Sequence, residues 1–291
     1  MSDLAMPQAK AHQTISLRIL FSRFRWRIAL TVVLVLAESG LNLLFPLLIG
    51  FAINGLLEQN TDPLAHLGLL GVITLIVGSG RRFYDTRAFA GIYTAVSTEM
   101  VEREQQKGTP LSAIATRSGL LTEFVEFLEN SMPMILESLI GIVGVLLIIL
   151  NLNASVFAAC LALVGLIALV YLASGKWNFS FNQGYNDELE KRVEVLSSHQ
   201  LQSIAAHFKR LMIWNIRLSD LETLNYAIVW LGIIALLIYS PITVIESGVI
   251  NYGLVFSVLM YVFQYIESLV SLPLFIQQII RLQEITQRLR N

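Results

Sequence analysis

Three glutamates interrupt long apolar runs of this chain, and a carboxylate in such a setting is the first place to look for chemistry. Glu38 follows Arg27 by eleven residues, about 16 Å along a helix at ~1.5 Å per residue, which places it near the middle of a bilayer if the run spans one. Asn42 and Pro46 follow at spacings of four, so a carboxylate, an amide and a kink share one helix face, which we turn toward a cavity. Glu137 stands in another apolar run, and Glu267 in a third with Gln264 one turn away. Ionised side chains inside hydrocarbon cost ~3 kcal/mol and upward, so each is a functional candidate by default. Together they suit an acidic lining that binds a cationic or polar substrate or relays protons. The competing reading pairs each of them with a neighbouring arginine or backbone group.

Other reactive types are less promising. Arg81 and Arg82 offer two guanidinium groups for an anion, against which stands the commoner use of such residues, snorkelling to lipid headgroups. Trp214 with Arg210 and Arg217 reads as an interfacial girdle. His199 and His207 lie eight apart with no Cys or carboxylate pair at metal spacing beside them, so no metal is assigned. Cys160 is the single cysteine, which excludes an intrachain disulfide and suits a lipid-facing or packed position. No Ser-His-Asp or Cys-His constellation is recognisable. No G-x-x-x-x-G-K-[ST] occurs either: Gly175-Lys176 lacks the upstream glycine and the following Ser or Thr, so no phosphate cradle is encoded here.

The elements that must position these residues are membrane helices. A mean hydropathy of +0.65, with 55% apolar and 14% charged residues, leaves too few charges to cover a soluble surface. Apolar runs extend over Ile28 to Ile53, Leu64 to Gly80, Met132 to Leu150, Ala154 to Ser174, Tyr226 to Ile245 and Val249 to Leu274, each near the ~20 residues that cross ~30 Å. The second is short and must borrow from the charged stretch after Gly80. All 20 Lys and Arg residues fall on one side of this plot, whereas Glu58, Asp62 and Glu246 fall on the other. Basic segments stay in the cytoplasm, so we expect an integral inner (plasma) membrane protein with both termini cytoplasmic. The net charge of −1 averages these two faces, and a pI near 6.4 gives no warrant for nucleic acid.

The connections divide into two kinds. Those over Asn54 to Pro63, Asn151 to Asn153 and Ser240 to Gly248 are short hairpin tips. The two on the basic side run for about fifty residues each, too long for structureless loops, and keep apolar residues at spacings of three to four: Phe124, Phe127 and Leu128, then Leu201, Ile204, Phe208 and Leu211. They read as helical extensions of the spans. The first turns at Gly108-Thr109-Pro110, where Gly stops one helix and Pro starts another. The second turns near Ser197-Ser198, with His199 beside them. A helix from Leu64 to Lys107 measures about 65 Å, twice the hydrocarbon thickness. Residues 1–27 read as a cytoplasmic leader without a cleavage site, in which Ile15, Leu17, Ile19, Leu20, Phe21 and Phe24 mix with Arg18, Arg23 and Arg25 as an interfacial amphipathic helix anchored by Trp26. Residues 28–291 form the six-span domain. Gly141 and Gly144, with Gly165 across the hairpin, permit close helix approach in the third and fourth spans.

Six spans, tiny outer tips and two long helical inner extensions resemble the transmembrane domain of ATP-binding-cassette exporters, from about Ile15 to Leu289. Local sequence agrees: Arg81-Arg82-Phe83-Tyr84 sits where the second helix leaves the membrane, and Thr116-Arg117 followed by Glu123, Glu126 and Pro133 is similar to the family's entry into the third helix. The resemblance implies an all-α polytopic membrane fold, a homodimer or heterodimer of membrane domains in the lipid bilayer, and two coupling helices. These would lie at Lys107, Gly108, Thr109 and Pro110, extending to Ser112, and at Ser197, Ser198 and His199, extending to Ala205. The departure is that the chain reaches Asn291 without the family's ATPase domain. It would therefore bind no cofactor itself and draw ATP and Mg through a separate nucleotide-binding subunit. A proton-driven secondary transporter of the same shape, and a non-transporting interaction protein, are the alternatives.

Overall fold

A computed structural model describes residues 22–246 and 251–290. Most of the expected leader helix, Ile15 to Phe21, lies outside the described residues. From there the chain is a succession of helices: α1 (Arg25–Leu57), α2 (Asp62–Gln106), α3 (Leu111–Glu126), a π-helical turn (Phe127–Ser131), α4 (Met132–Leu152), α5 (Ala154–Glu190), α6 (Arg192–Ser197), α7 (Leu201–Glu246) and α8 (Tyr252–Arg290). Among the described residues, six stretches are long and apolar enough to cross a membrane, as the hydropathy pattern requires. The helix that carries the second apolar run continues into the charged stretch beyond Gly80: α2 runs unbroken for 45 residues, about 68 Å.

The chain divides into two compact units, residues up to Val145 with those from Gln264 onward, and Leu146–Phe263. In the first, α1 and α2 form a hairpin closed by a tight turn with Gln59 at φ +60°. Gly55 makes that closure possible: a Cβ there would stand 2.8 Å from the Asn60 carbonyl oxygen and 2.8 Å from Pro63 Cγ. Gly55→Ala should therefore lower the thermal stability of the purified protein by an amount worth about 1 kcal/mol, since backbone cannot step aside as a side chain can. A melting curve unchanged from the parent would contradict that packing.

Beyond the membrane-length part, α2 presents Phe89, Ile92, Val96 and Met100 at spacings of three to four. They bury against Leu121, Phe124, Val125 and Leu128, with Ile285 of α8 completing the cluster. The Phe124 and Leu128 stripe is thus a packed face. Pro133 explains the π turn before α4: lacking an N–H, it cannot bond the carbonyl four residues back, so the ladder opens at Phe127–Ser131. Gly141 and Gly144 do admit close neighbours, but not across the third–fourth hairpin as expected: added Cβ atoms would strike Ser268 Oγ on α8 and Leu43 Cδ1 on α1.

In the second unit α5 and α7 pair as a hairpin. Asn153 caps α5, its side-chain oxygen accepting from the Ser155 and Val156 N–H groups at 3.0 and 3.1 Å. Gly165 is not an approach point, having open space where a Cβ would stand; Gly232 on α7 takes that role against Leu166 and Leu163. Further along, Gly184 admits the Trp214 ring, and Arg217 stacks over that ring at 4.7 Å. Trp214 is therefore a packed side chain. Cys160 is buried, which selects the packed reading over the lipid-facing one. The apolar stripe on α7 is displaced from the one the spacing predicts. Leu211 is buried, but Leu201 and Phe208 are exposed, and His207 fills the buried position between.

Candidate functional site

The most unusual chemistry of the first unit is a cluster of charges between the spans. Arg81 is only 8% exposed, and its guanidinium fork is shared among three carboxylates. Its Nε donates to Glu38 Oε2 at 2.5 Å, its Nη2 donates to Glu137 Oε1 at 3.0 Å, and its Nη1 stands 3.6 Å from Asp85 Oδ2. Thr31 Oγ1 donates to the other Asp85 oxygen at 2.6 Å. Arg82, largely exposed, reaches Glu38 Oε1 at 3.6 Å. Gly78 lets the Glu38 carboxylate lie against α2, since a Cβ there would meet Glu38 Oε1 at 2.7 Å. One guanidinium thereby ties α1, α2 and α4 together.

Snorkelling to headgroups is consequently the wrong reading of Arg81. Its guanidinium is buried and turned toward three carboxylates of the spans, and not extended to the headgroups. Glu38 faces α2 rather than a cavity, so the structural pairing with an arginine holds for it. Its depth also shifts. Arg81 lies nineteen residues from the start of α2, about 28 Å from the hairpin tip, so the cluster sits toward the basic side of the hydrocarbon and not at its middle.

Of the other candidates, Pro46 shares the buried side of α1 with Glu38, whereas Asn42, one turn from each, is exposed and joins no partner among the described residues. Glu267 is exposed and Gln264 half-buried. Among the described residues no side-chain bond links either to Arg81. Asp85 and Thr31 were missed. Asp85 stands one turn after Arg81 and Thr31 two turns before Glu38, so helical spacing from the charges already noticed would have found both.

Charge balance sets what the cluster can do. Glu38, Asp85 and Glu137 face Arg81 and Arg82, leaving one carboxylate in excess. Both oxygens of Glu38 and of Asp85 are engaged. Among the described residues Glu137 uses one oxygen only, and 40% of its side chain is exposed. It is the open position of the cluster.

Each long extension turns over a single buried glutamate. At the first turn Gly108 adopts φ +70°, in the left-handed region glycine favours, and Pro110 precedes α3. Glu104 anchors it, accepting from Thr109 Oγ1 at 2.9 Å and Lys107 Nζ at 3.1 Å and pairing with Arg117 Nη1 at 2.6 Å. Those hydrogen bonds from Thr109 and Lys107, with the two positive charges, outweigh burial and hold the Glu104 carboxyl below its ordinary range. At the second turn His199 has φ +53° and its Nδ1 lies 2.7 Å from the Ser197 carbonyl oxygen.

Glu188 anchors that second turn. Its Oε1 meets His207 Nδ1 at 2.9 Å and Arg210 Nε at 2.7 Å, while Lys191 Nζ lies 3.5 Å from Oε2. Burial pushes the Glu188 carboxyl up, but the bonds from Arg210 and His207 and the charges of Arg210 and Lys191 hold it below its ordinary range. Arg210 is thus part of a clamp rather than a girdle. Lys107, Gly108, Thr109 and Pro110 lie at the first turn and Ser197, Ser198 and His199 at the second. Leu111, Val193 and Leu201 stand out beside them, 77%, 77% and 83% exposed.

No curated protein matches the chain. A family model does: the one described as ABC transporter transmembrane region covers residues 17–253, from before α1 to the start of α8. Six apolar helices, extensions folded back over anchored turns and this match across most of the chain lead to one assignment: the protein belongs to the ABC transporter transmembrane region family.

Proposed function

We propose that the chain is the membrane subunit of a dimeric transporter, worked by a separately made nucleotide-binding ATPase that docks on the two turns. The observation that carries this is the build of those turns. Each is braced by a buried glutamate with three partners, and each presents exposed leucine or valine on a segment that extends well past the membrane-length part of its helices. Rigid apolar tips of that kind suit a partner that pushes on them. The distribution of Lys and Arg supports a cytoplasmic basic side, on which both termini and both turns would meet ATP. ATP and Mg would be bound by the partner. Proteoliposomes holding the chain with its ATPase subunit should transport only when ATP is supplied on the side of the turns. Transport by the chain alone, indifferent to ATP, would remove the ATPase from the mechanism.

A second reading rests on the excess carboxylate. A proton-driven carrier needs an acid within the spans that meets each side in turn, and the half-buried Glu137, bonded through one oxygen, supports that reading. Glu137→Gln makes the cluster neutral and removes the titrating group, so it should cost a proton-driven carrier about a hundredfold or more in rate while flattening its pH dependence. An ionophore that abolishes uptake while ATP depletion leaves it intact would select this reading over the first.

A further inference from the structure

A second charged feature of the first unit takes no part in the cluster around Arg81. Arg27 of α1 and Arg87 of α2 line one groove of about 460 Å³, together with Gly80, Phe83, Tyr84, Ala88 and Gly91. Neither arginine has a carboxylate partner among the described residues, in contrast to Arg81 and Arg103, which do. Arg87 is instead held by its own helix. Its guanidinium carbon lies 3.3 Å over the Phe83 ring and its Nη1 donates to the Phe83 carbonyl at 2.9 Å. An arginine carries five N–H donors, so most of this fork remains open to a ligand. Arg27 is fixed at its backbone, where its carbonyl accepts from Tyr84 Oη at 3.3 Å. Glycine keeps the groove clear: a Cβ at Gly91 would stand 3.0 Å from Arg27 Nη1.

The depth of the groove says what fills it. Arg87 is about 38 Å and Arg27 about 45 Å from the tip of the α1–α2 hairpin at ~1.5 Å per residue. A bilayer measures ~30 Å across its hydrocarbon and ~40–45 Å with both headgroup layers, so a tip in one headgroup layer puts the groove in the other. Exposed Trp26 and Phe83 flank it, as aromatic residues do at that level. We propose that the groove binds the phosphate of an anionic phospholipid, with Arg27 and Arg87 closing on the phosphodiester and Phe83 lying along the start of an acyl chain. This does not depend on which energy source drives the protein.

The test is native mass spectrometry of the full chain, released from nanodiscs containing equal phosphatidylglycerol and phosphatidylcholine. We expect retained phosphatidylglycerol in the parent protein and at least tenfold less in Arg27→Gln/Arg87→Gln, the order of loss for two basic residues at a membrane surface. Arg103→Gln, whose side chain pairs with Glu99, should retain lipid as the parent does. Equal retention of both lipids, no loss in the double variant, or complete displacement by inorganic phosphate would overturn the proposal, the last by showing a site for a soluble anion. Should the double variant fail to fold, a photoreactive phosphatidylglycerol on the unaltered protein decides instead. Adducts concentrated in the peptide over residues 80–91 support the site, and adducts spread evenly over the spans refute it.

Discussion

Replacing Arg81 with alanine should cost about 3–5 kcal/mol of stability, the range expected when one partner of a buried ion pair is removed and the others are left charged. In this cluster the loss is not confined to one bond. Glu38 and Asp85 are both buried and both lean on the same guanidinium. Arg82 cannot take over, since its side chain points largely out of the cluster and reaches Glu38 only at 3.6 Å. The melting temperature in detergent should fall by roughly 10 °C or more at this size. Arg81→Lys separates charge from shape: an ammonium keeps the positive charge but cannot bond Glu38 and Glu137 through one planar fork, so only part of the stability should return. Adding Glu38→Gln to Arg81→Ala removes an orphaned carboxylate and should recover stability relative to Arg81→Ala alone. A melting temperature for Arg81→Ala within a degree or two of the parent would show that water or lipid compensates the carboxylates.

The same residue shows where reading the sequence succeeds and where it stops. Spans, extensions and the Gly108 turn follow from hydropathy, helical spacing and the Gly-x-Pro signal, all of which are local. Glu38 stands out because a carboxylate in hydrocarbon is costly. What spacing cannot supply is which way each helix is rotated, and that decides whether Arg81 meets lipid headgroups or Glu38. Gly78 was the available clue, since a glycine one turn before an arginine leaves room for a partner from the neighbouring helix. The displaced α7 stripe has a similar cause. His207 occupies a buried position at helical spacing, yet only its contact with Glu188 reveals that a polar ring belongs there.

The clamp at Glu188 carries the second large effect. His207 is fully buried and its Nε2 finds no partner among the described residues, so the bond at Nδ1 is its one polar anchor. Glu188→Ala removes that anchor together with the Arg210 and Lys191 contacts. The two cations are about half exposed and solvent screens their share. The buried bond remains the main loss, and hydrogen bonds to a charged group make it about 2–3 kcal/mol, felt locally at α6 and the His199 turn.

Amide hydrogen exchange over residues 192–203 should therefore accelerate in Glu188→Ala while the exchange of α1 and α2 stays as in the parent. Acid should reproduce the effect in the unaltered protein, and the sign is fixed. The folded-state carboxyl is held below its ordinary 4.5, so the clamp is complete above that value and is lost as pH falls through the lower folded one. Between pH 5 and 7 this carboxyl contributes no pH dependence to the turn. Under the proposed coupling to an ATPase, Glu188→Ala should also leave ATP hydrolysis running with less transport per ATP, because a loosened turn yields instead of pushing. Exchange at residues 192–203 identical in parent and variant would mean that α6 is held by something other than this carboxylate.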